Sequence, residues 1–313
     1  MIENLFQLGE GIDHRGILIV PLFPKRDPLA RYITLDEALR MGFSVCEVSE
    51  AGLVPELLAE NPLSDDVLLY DGEELVGAKQ NRILNLTVLV EASSALPIPV
   101  SCVEQGRWQS HAATFTAAPH ASNPRLRQRK AEALHSQPLT RGVAQSDVWD
   151  EVGFTANRLA VSSSTHANAD AFRAYRPALA ELEQAFPLQP GQCGAALALG
   201  ADLCLDIVSR PDAFTHLWPK LRAGYLLDAL DRLDQPNPAT ETLGAFISAL
   251  STAVTSRGPS AGRGTDIRLR GDALIGSGLE LDGELLQLCA FRNDRGAAGA
   301  TRTIARSSRR RHA

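Results

Sequence analysis

Short apolar runs joined by two-residue turn signals, without regular strand–helix–strand alternation, constrain this chain more than any other feature. DVLLYDGEELVG turns on Asp71-Gly72, AALALGADLCLDIV on Gly200-Ala201 and GLELDGELLQLCAF on Asp282-Gly283. Asp, Asn and Gly tolerate the positive φ of a tight hairpin, so each pair suits a direct connection between antiparallel strands. Parallel neighbours would instead need crossovers of roughly a dozen residues. Residues 17–23 read as a further buried strand, residues 79–91 as one long strand and residues 100–104 as another that closes at Gly106. Helix-favouring stretches cover 34–42, 123–136, 145–160, 170–186, 211–233 and 240–256, with Pro177 interrupting the fourth. Thr34 as N-cap, Glu37 three residues on and Gly42 as the stop delimit the first. Strand runs, then helices, then strands predict an α+β fold, mainly antiparallel sheet built from hairpins with packed amphipathic helices.

No linker is long or polar enough to divide the body, so residues 1–291 are expected to form one α+β domain and residues 292–313 a basic disordered tail. The formal net charge is −6, yet residues 292–313 hold seven arginines against Asp294 alone. That end therefore carries +6 and the body −12. A body that acidic has no general footprint for nucleic acid, which leaves the arginine-rich tail as the one place for it. Nowhere do the roughly 20 consecutive apolar residues of a membrane span occur. The opening MIENLFQLGEGIDHRG lacks the apolar core of a signal peptide. Five widely spaced cysteines without a C-x-x-C pair argue against disulfide staples, and a cytoplasmic location is expected.

Two polar strings carry the candidate chemistry. The first holds Glu73, Glu74, Lys79, Gln80, Asn81 and Arg82 just past the first turn. Strand alternation sends Gln80 and Arg82 one way, Lys79 and Asn81 the other. So many charged and amide groups beside a buried sheet must pair with each other, with solvent or with a ligand. The second, Ser101 to Trp108, sets Glu104, Arg107 and Trp108 within five residues. Arginine binds phosphate through a planar fork and tryptophan offers a face to a base, so this string suits a planar anion. A structural Glu–Arg pair beside a core tryptophan is the competing reading.

GEELVGAKQNRILN followed by PIPVSCVEQGRW closely resembles the ADP-ribosylglycohydrolase- and Rhodanese-Phosphatase-superfamily-associated protein domain family. The resemblance extends over about residues 15–290 and is densest at 72–108. It implies a link to nucleotide or ADP-ribose metabolism without establishing a reaction. Two functions are open. In the first, the chain binds or hydrolyses a nucleotide-like or ADP-ribose-like phosphate ester. Lys79, Arg82 and Arg107 would then neutralise the anion, Gln80 and Asn81 orient it, Glu74 or Glu104 act as general base, and Trp108 stack on the base. In the second, the chain is a non-catalytic sensor or scaffold that uses the same polar cluster structurally.

Other motifs lead less far. Cys102 and Arg107 approach the spacing of a cysteine phosphatase loop, but Glu104 would place a negative charge inside the anion cradle. G-x-S-x-G at 258–262 lacks the strand before and helix after that a nucleophile elbow needs. The cofactor is unknown. A divalent metal would require His111 and His120 to meet Glu104 or Asp206 in space, since the histidine spacing itself does not support one. Asp206, inside the apolar run LCLDIV, reads as a structural pairing.

Overall fold

The computed structural model describes residues 4–49, 55–107, 114–136, 145–235 and 239–293. Its backbone is an α+β arrangement of three sheets and packed helices. The largest sheet runs Phe6–Leu8, Ile17–Pro24, Gly194–Leu199, Asp202–Val208, Glu284–Arg292, Leu274–Leu281, Thr265–Arg270 and Val254–Pro259, with Ile12–His14 added beside Ile17–Pro24. A second sheet orders Phe115–Ala121, Glu73–Gly77, Arg82–Leu84, Ser94–Cys102, Glu56–Asn61 and Ser44–Glu47. The third, Val88–Val90, Val67–Leu69 and Ile33–Thr34, contains the one parallel pair among the described strands.

The turn signals divide according to backbone sign. Asp282 and Gly283 both have positive φ, 52° and 84°, and they join Leu281 to its partner Glu284 in a two-residue hairpin. At Gly200-Ala201 only the first central residue, Gly200, has positive φ, 59°, which also suits a two-residue hairpin and turns Leu199 onto Asp202. Asp71-Gly72 behaves differently. Only Gly72 has positive φ, 84°, and the Glu73 N–H donates to the Tyr70 carbonyl at 3.1 Å. A turn with positive φ at its third residue alone does not match the twist of a hairpin. Val67–Leu69 and Glu73–Gly77 accordingly leave it into different sheets. The expected long strand over 79–91 is likewise two short ones, Arg82–Leu84 and Val88–Val90, in separate sheets.

Helix signals translate more directly. Leu35–Met41 starts where the Thr34 N–H and hydroxyl both donate to Glu37, at 2.9 and 2.7 Å. It stops at Gly42, whose φ of 108° only glycine adopts freely. The expected helix over 170–186 breaks at Tyr175 into Asn168–Ala174 and Arg176–Glu183, with Pro177 in the first turn of the second. The helix expected over 240–256 ends at Ala249, and Val254–Pro259 is a strand.

The long helix Pro211–Ala229 covers one face of the large sheet through Phe214, Leu217, Trp218, Leu221 and Tyr225, while Leu243, Phe246 and Ile247 of Ala239–Ala249 cover the other. A separate core of Leu35, Phe43, Val45, Leu57, Leu75 and Leu84 fills the second sheet. These bodies meet at a fully buried ionic cluster. Asp206, on the central strand Asp202–Val208, takes both Arg127 nitrogens at 2.8 and 2.5 Å, the Tyr70 hydroxyl at 2.7 Å and the Tyr225 hydroxyl at 2.6 Å. Arg127 also lies 3.4 Å from Asp71, whose other oxygen accepts from Lys130 at 2.6 Å. A Cβ at Gly72 would come within 2.6 Å of the Arg127 side chain, so glycine serves here as both turn former and passage. Burial works to raise the Asp206 carboxyl, but Arg127 and the two hydroxyls hold it below the usual carboxylate range.

Breaking a buried pair strands the remaining charge, which costs about 3–5 kcal/mol. Arg127→Met and Asp206→Leu should each lower stability by about that amount, read from the urea midpoint. The double variant should lose clearly less than the two single losses together, because neither charge is left alone.

Candidate functional site

The two polar strings do meet, and Asn81 is where they meet. Strand Glu73–Gly77 ends at Gly77 and Ala78, whose φ values of 136° and 37° reverse the chain into Arg82–Leu84. Within this turn the Asn81 side chain donates to Glu74 at 3.3 Å, while its backbone N–H donates to Glu104 at 3.2 Å. Its side-chain oxygen accepts from Arg107 at 3.1 Å. Arg107 clamps the Glu104 carboxylate at 2.7 Å and also donates to the Ala78 carbonyl at 2.8 Å. Desolvation would raise the Glu104 carboxyl, yet hydrogen bonds from Arg107 and Asn81 hold it below its ordinary value.

Glu74 is buried and accepts from the Asn168 amide at 2.8 Å and pairs with the His120 ring at 3.1 Å. The His120 ring stacks on Phe172 with centroids 3.7 Å apart. Both His120 and Asn168 lie outside the two strings, 46 and 94 positions from Glu74. The sequence offers His120 only as a metal ligand beside Glu104 or Asp206, whereas the structure sets it against Glu74. No local signal marks Asn168, because only the docking of loop 163–168 on residues 103–106 brings it in. That docking is tight: the Gly106 N–H donates to the Thr165 carbonyl at 2.8 Å, and a Cβ at Gly106 would lie 2.8 Å from the Thr165 Cα.

Arg82 and Gln80 go elsewhere. Leu75 pairs with Arg82 and Glu74 with Ile83, so Arg82 shares the sheet face of Leu75 and Leu84, opposite Glu74. There its guanidinium reaches Gln80 at 2.9 Å, the Cys102 sulfur at 2.5 Å and Glu47 at 3.9 Å. Burial pushes the Cys102 thiol up despite that guanidinium, and Arg107, five residues on, is committed to Glu104. This is not an anion cradle. Lys79 lies half-buried in the turn, and Trp108 falls outside the described residues. His111 is also outside them. Among the described residues no His, Cys, Asp and Glu side chains gather into a metal-holding group. Ser260 sits between two strands, Val254–Pro259 and Thr265–Arg270, where no helix follows it.

The assembled cluster is thus a carboxylate–amide–guanidinium network that closes on itself. Cavities of about 420 and 390 Å³ lie elsewhere, the first beside Phe6, Leu250, Ile267 and Leu288, the second between two helices. Neither is lined by Glu74, Asn81, Glu104 or Arg107.

Because the Glu104 carboxyl is lowered on folding, its stabilisation is complete above the unfolded value. It is lost as pH falls through the folded value. Glu104→Gln should therefore cost about 1–3 kcal/mol near neutral pH, a charged hydrogen bond's worth. The gap between wild type and variant should close once the pH drops below the usual carboxylate range, as followed by urea unfolding at each pH.

A family model described as ARG and Rhodanese-Phosphatase-superfamily-associated Protein domain, ARPP-1, matches residues 6–291. No curated protein and no solved structure matches the chain. The match spans both polar strings, the Asp206 strand and the closing hairpin at Asp282-Gly283, and the chain belongs to the ARPP-1 family.

Proposed function

We propose that this chain is a non-catalytic sensor or scaffold, working beside enzymes of ADP-ribose and phosphate chemistry of the kind its family description names. One observation carries this reading: Glu74, Asn81, Glu104 and Arg107 spend their polar groups on one another and on His120 and Asn168. Glu104 is occupied by Arg107 and Asn81, and Glu74 by Asn81, His120 and Asn168. A buried network whose members satisfy each other rigidifies a fold and specifies its loops. Five free cysteines, four of them buried, fit a reducing cytoplasmic setting.

A second reading has one specific observation in its favour. Glu74 and His120 form a carboxylate–imidazole pair 3.1 Å apart, and the other donors on Glu74 are neutral amides. Such a pair can hold and move a proton. In that reading the chain binds or hydrolyses a nucleotide-like or ADP-ribose-like phosphate ester, with Glu74 as base and Arg107 facing the anion.

Thermal-shift measurements with ADP-ribose, nucleotides and divalent cations separate the two. The scaffold reading expects no ligand-dependent shift in wild type and a melting point a few degrees lower in Glu74→Gln, from the weakened network. An upward shift with one ligand class that disappears in Glu74→Gln would replace the scaffold with a ligand-binding chain. Hydrolysis of that ligand by wild type but not by Glu74→Gln would replace the sensor with the enzyme reading.

A further inference from the structure

Helices Pro124–Ser136 and Gln145–Arg158 pack against each other and leave a groove of about 390 Å³ between them. Glu132, Asp147, Asp150 and Glu151 line it against a single cation, Arg129, and Phe154 stands beside them more than half exposed. Arg129 holds two of these acids only loosely, at 3.5 Å from Glu132 and 3.6 Å from Glu151. Glu151 is 7% exposed, and its Oε1 has no hydrogen-bond partner among the described residues. A buried carboxylate oxygen left in that state costs stability until a donor reaches it. Burial accordingly lifts the Glu151 carboxyl above its ordinary value, with Asp228 adding to the rise and Arg129, Arg125 and Arg158 opposing it.

The strand Glu284–Arg292 ends at the rim of this groove. The Gln128 side-chain amide donates to the Arg292 carbonyl at 2.8 Å and to Glu132 at 3.3 Å. Beyond Asn293 the chain lies outside the described residues and past the family match. Its sequence there carries Arg295, Arg302, Arg306, Arg309, Arg310 and Arg311 against Asp294. Arg295 is three residues past Arg292, roughly 10 Å of extended chain. Guanidinium groups carry donors in a planar fork that matches carboxylates, and they stack on aromatic faces. Tethering holds them at an effective concentration of roughly millimolar next to the acids.

We propose that the arginine-rich segment 294–313 docks in cis into the acidic groove between Pro124–Ser136 and Gln145–Arg158. The occupant supplies the donor that Glu151 lacks and offsets the surplus of carboxylates around it. It also keeps a strongly basic segment from indiscriminate contact with polyanions.

The test uses full-length proteins and a fluorescently labelled peptide of residues 294–313, followed by anisotropy. In one variant the six tail arginines are changed to glutamine, which empties the groove. A second adds Asp147→Asn and Asp150→Asn, two exposed positions whose neutralisation should leave the unfolding midpoint unchanged. The peptide should bind the first variant about ten-fold or more tighter than wild type, and the second about ten-fold or more weaker than the first. Binding should weaken as salt rises from roughly 50 to 200 mM. Equal affinity for wild type and the first variant would overturn the proposal, as would undiminished binding to the second. Absence of peptide binding to any of them would overturn it too. So would a concentration-dependent dimer that the tail substitutions dissolve, since the segment would then dock between copies. A short RNA binding wild type no more weakly than an Asp147→Asn/Asp150→Asn chain would also overturn it, because the tail would be unoccupied.

Discussion

Asp206 sits fully buried at the middle of the large sheet, and a carboxylate there is tolerable only with its charge answered on the spot. Four donor contacts from three residues answer it, each residue at a different distance along the chain: Tyr70 from the turn between two sheets, Arg127 twice from one helix, and Tyr225 from another. An isolated charge at this depth would force its own neutralisation or unfold the region, so the four elements are obliged to arrive together. Arg127 extends the obligation to Asp71, and Lys130 extends it to the Leu84 carbonyl. Such clusters contribute little net stability over a well-packed apolar core. What this one does is fix the relative placement of the large sheet, the second sheet and the helices between them.

Its influence reaches the candidate site through three nearly consecutive acids. Asp71 goes to Arg127 and Lys130. Glu73 takes Lys220 at 2.7 Å, and that ammonium also holds Asp36 at 2.6 Å. Glu74 points away from Glu73 to His120 and Asn168. Alternation along a strand sends neighbouring carboxylates to opposite faces, so this short acidic stretch ties together partners from five separate elements. Once Tyr70 and Arg127 are set on Asp206, the turn at Gly72 is set, and with it the direction in which Glu74 faces. The network around Asn81 is then less an isolated pocket than the far end of one polar frame. Its completeness is the physical basis for reading it as structural, and the Glu74–His120 pair is the part that could do chemistry.

Legibility followed the range of the interaction. The Thr34–Glu37 box, the stop at Gly42, the break just before Pro177 and the hairpins at Gly200-Ala201 and Asp282-Gly283 are decided within a few residues, and each could be read in order along the chain. So could the opposite directions of Arg82 and Asn81, since a two-residue period needs no knowledge of partners. The Asp71-Gly72 turn was legible as a turn but not as a connection between sheets, because that depends on the sign of φ at Asp71. Packing of Arg127 across Gly72 belongs to the same tertiary setting. The strand over 79–91 split for a similar reason: its residues favour strand throughout, but two different sheets claim its two ends.

What the amino-acid sequence determined by itself was the fold class, the turn positions, the family and the two strings of polar residues. These rest on steric limits and side-chain periods that act locally. What only the tertiary structure decided was which polar groups face each other: Asp206 with Arg127, Glu74 with His120 and Asn168, Arg82 with Cys102, and Gln128 with the end of the last strand. Electrostatic pairing in a buried interior acts over a few ångströms of space whatever the separation along the chain. Residues 79 or 94 positions apart can therefore be closest partners with nothing in the intervening sequence to announce it.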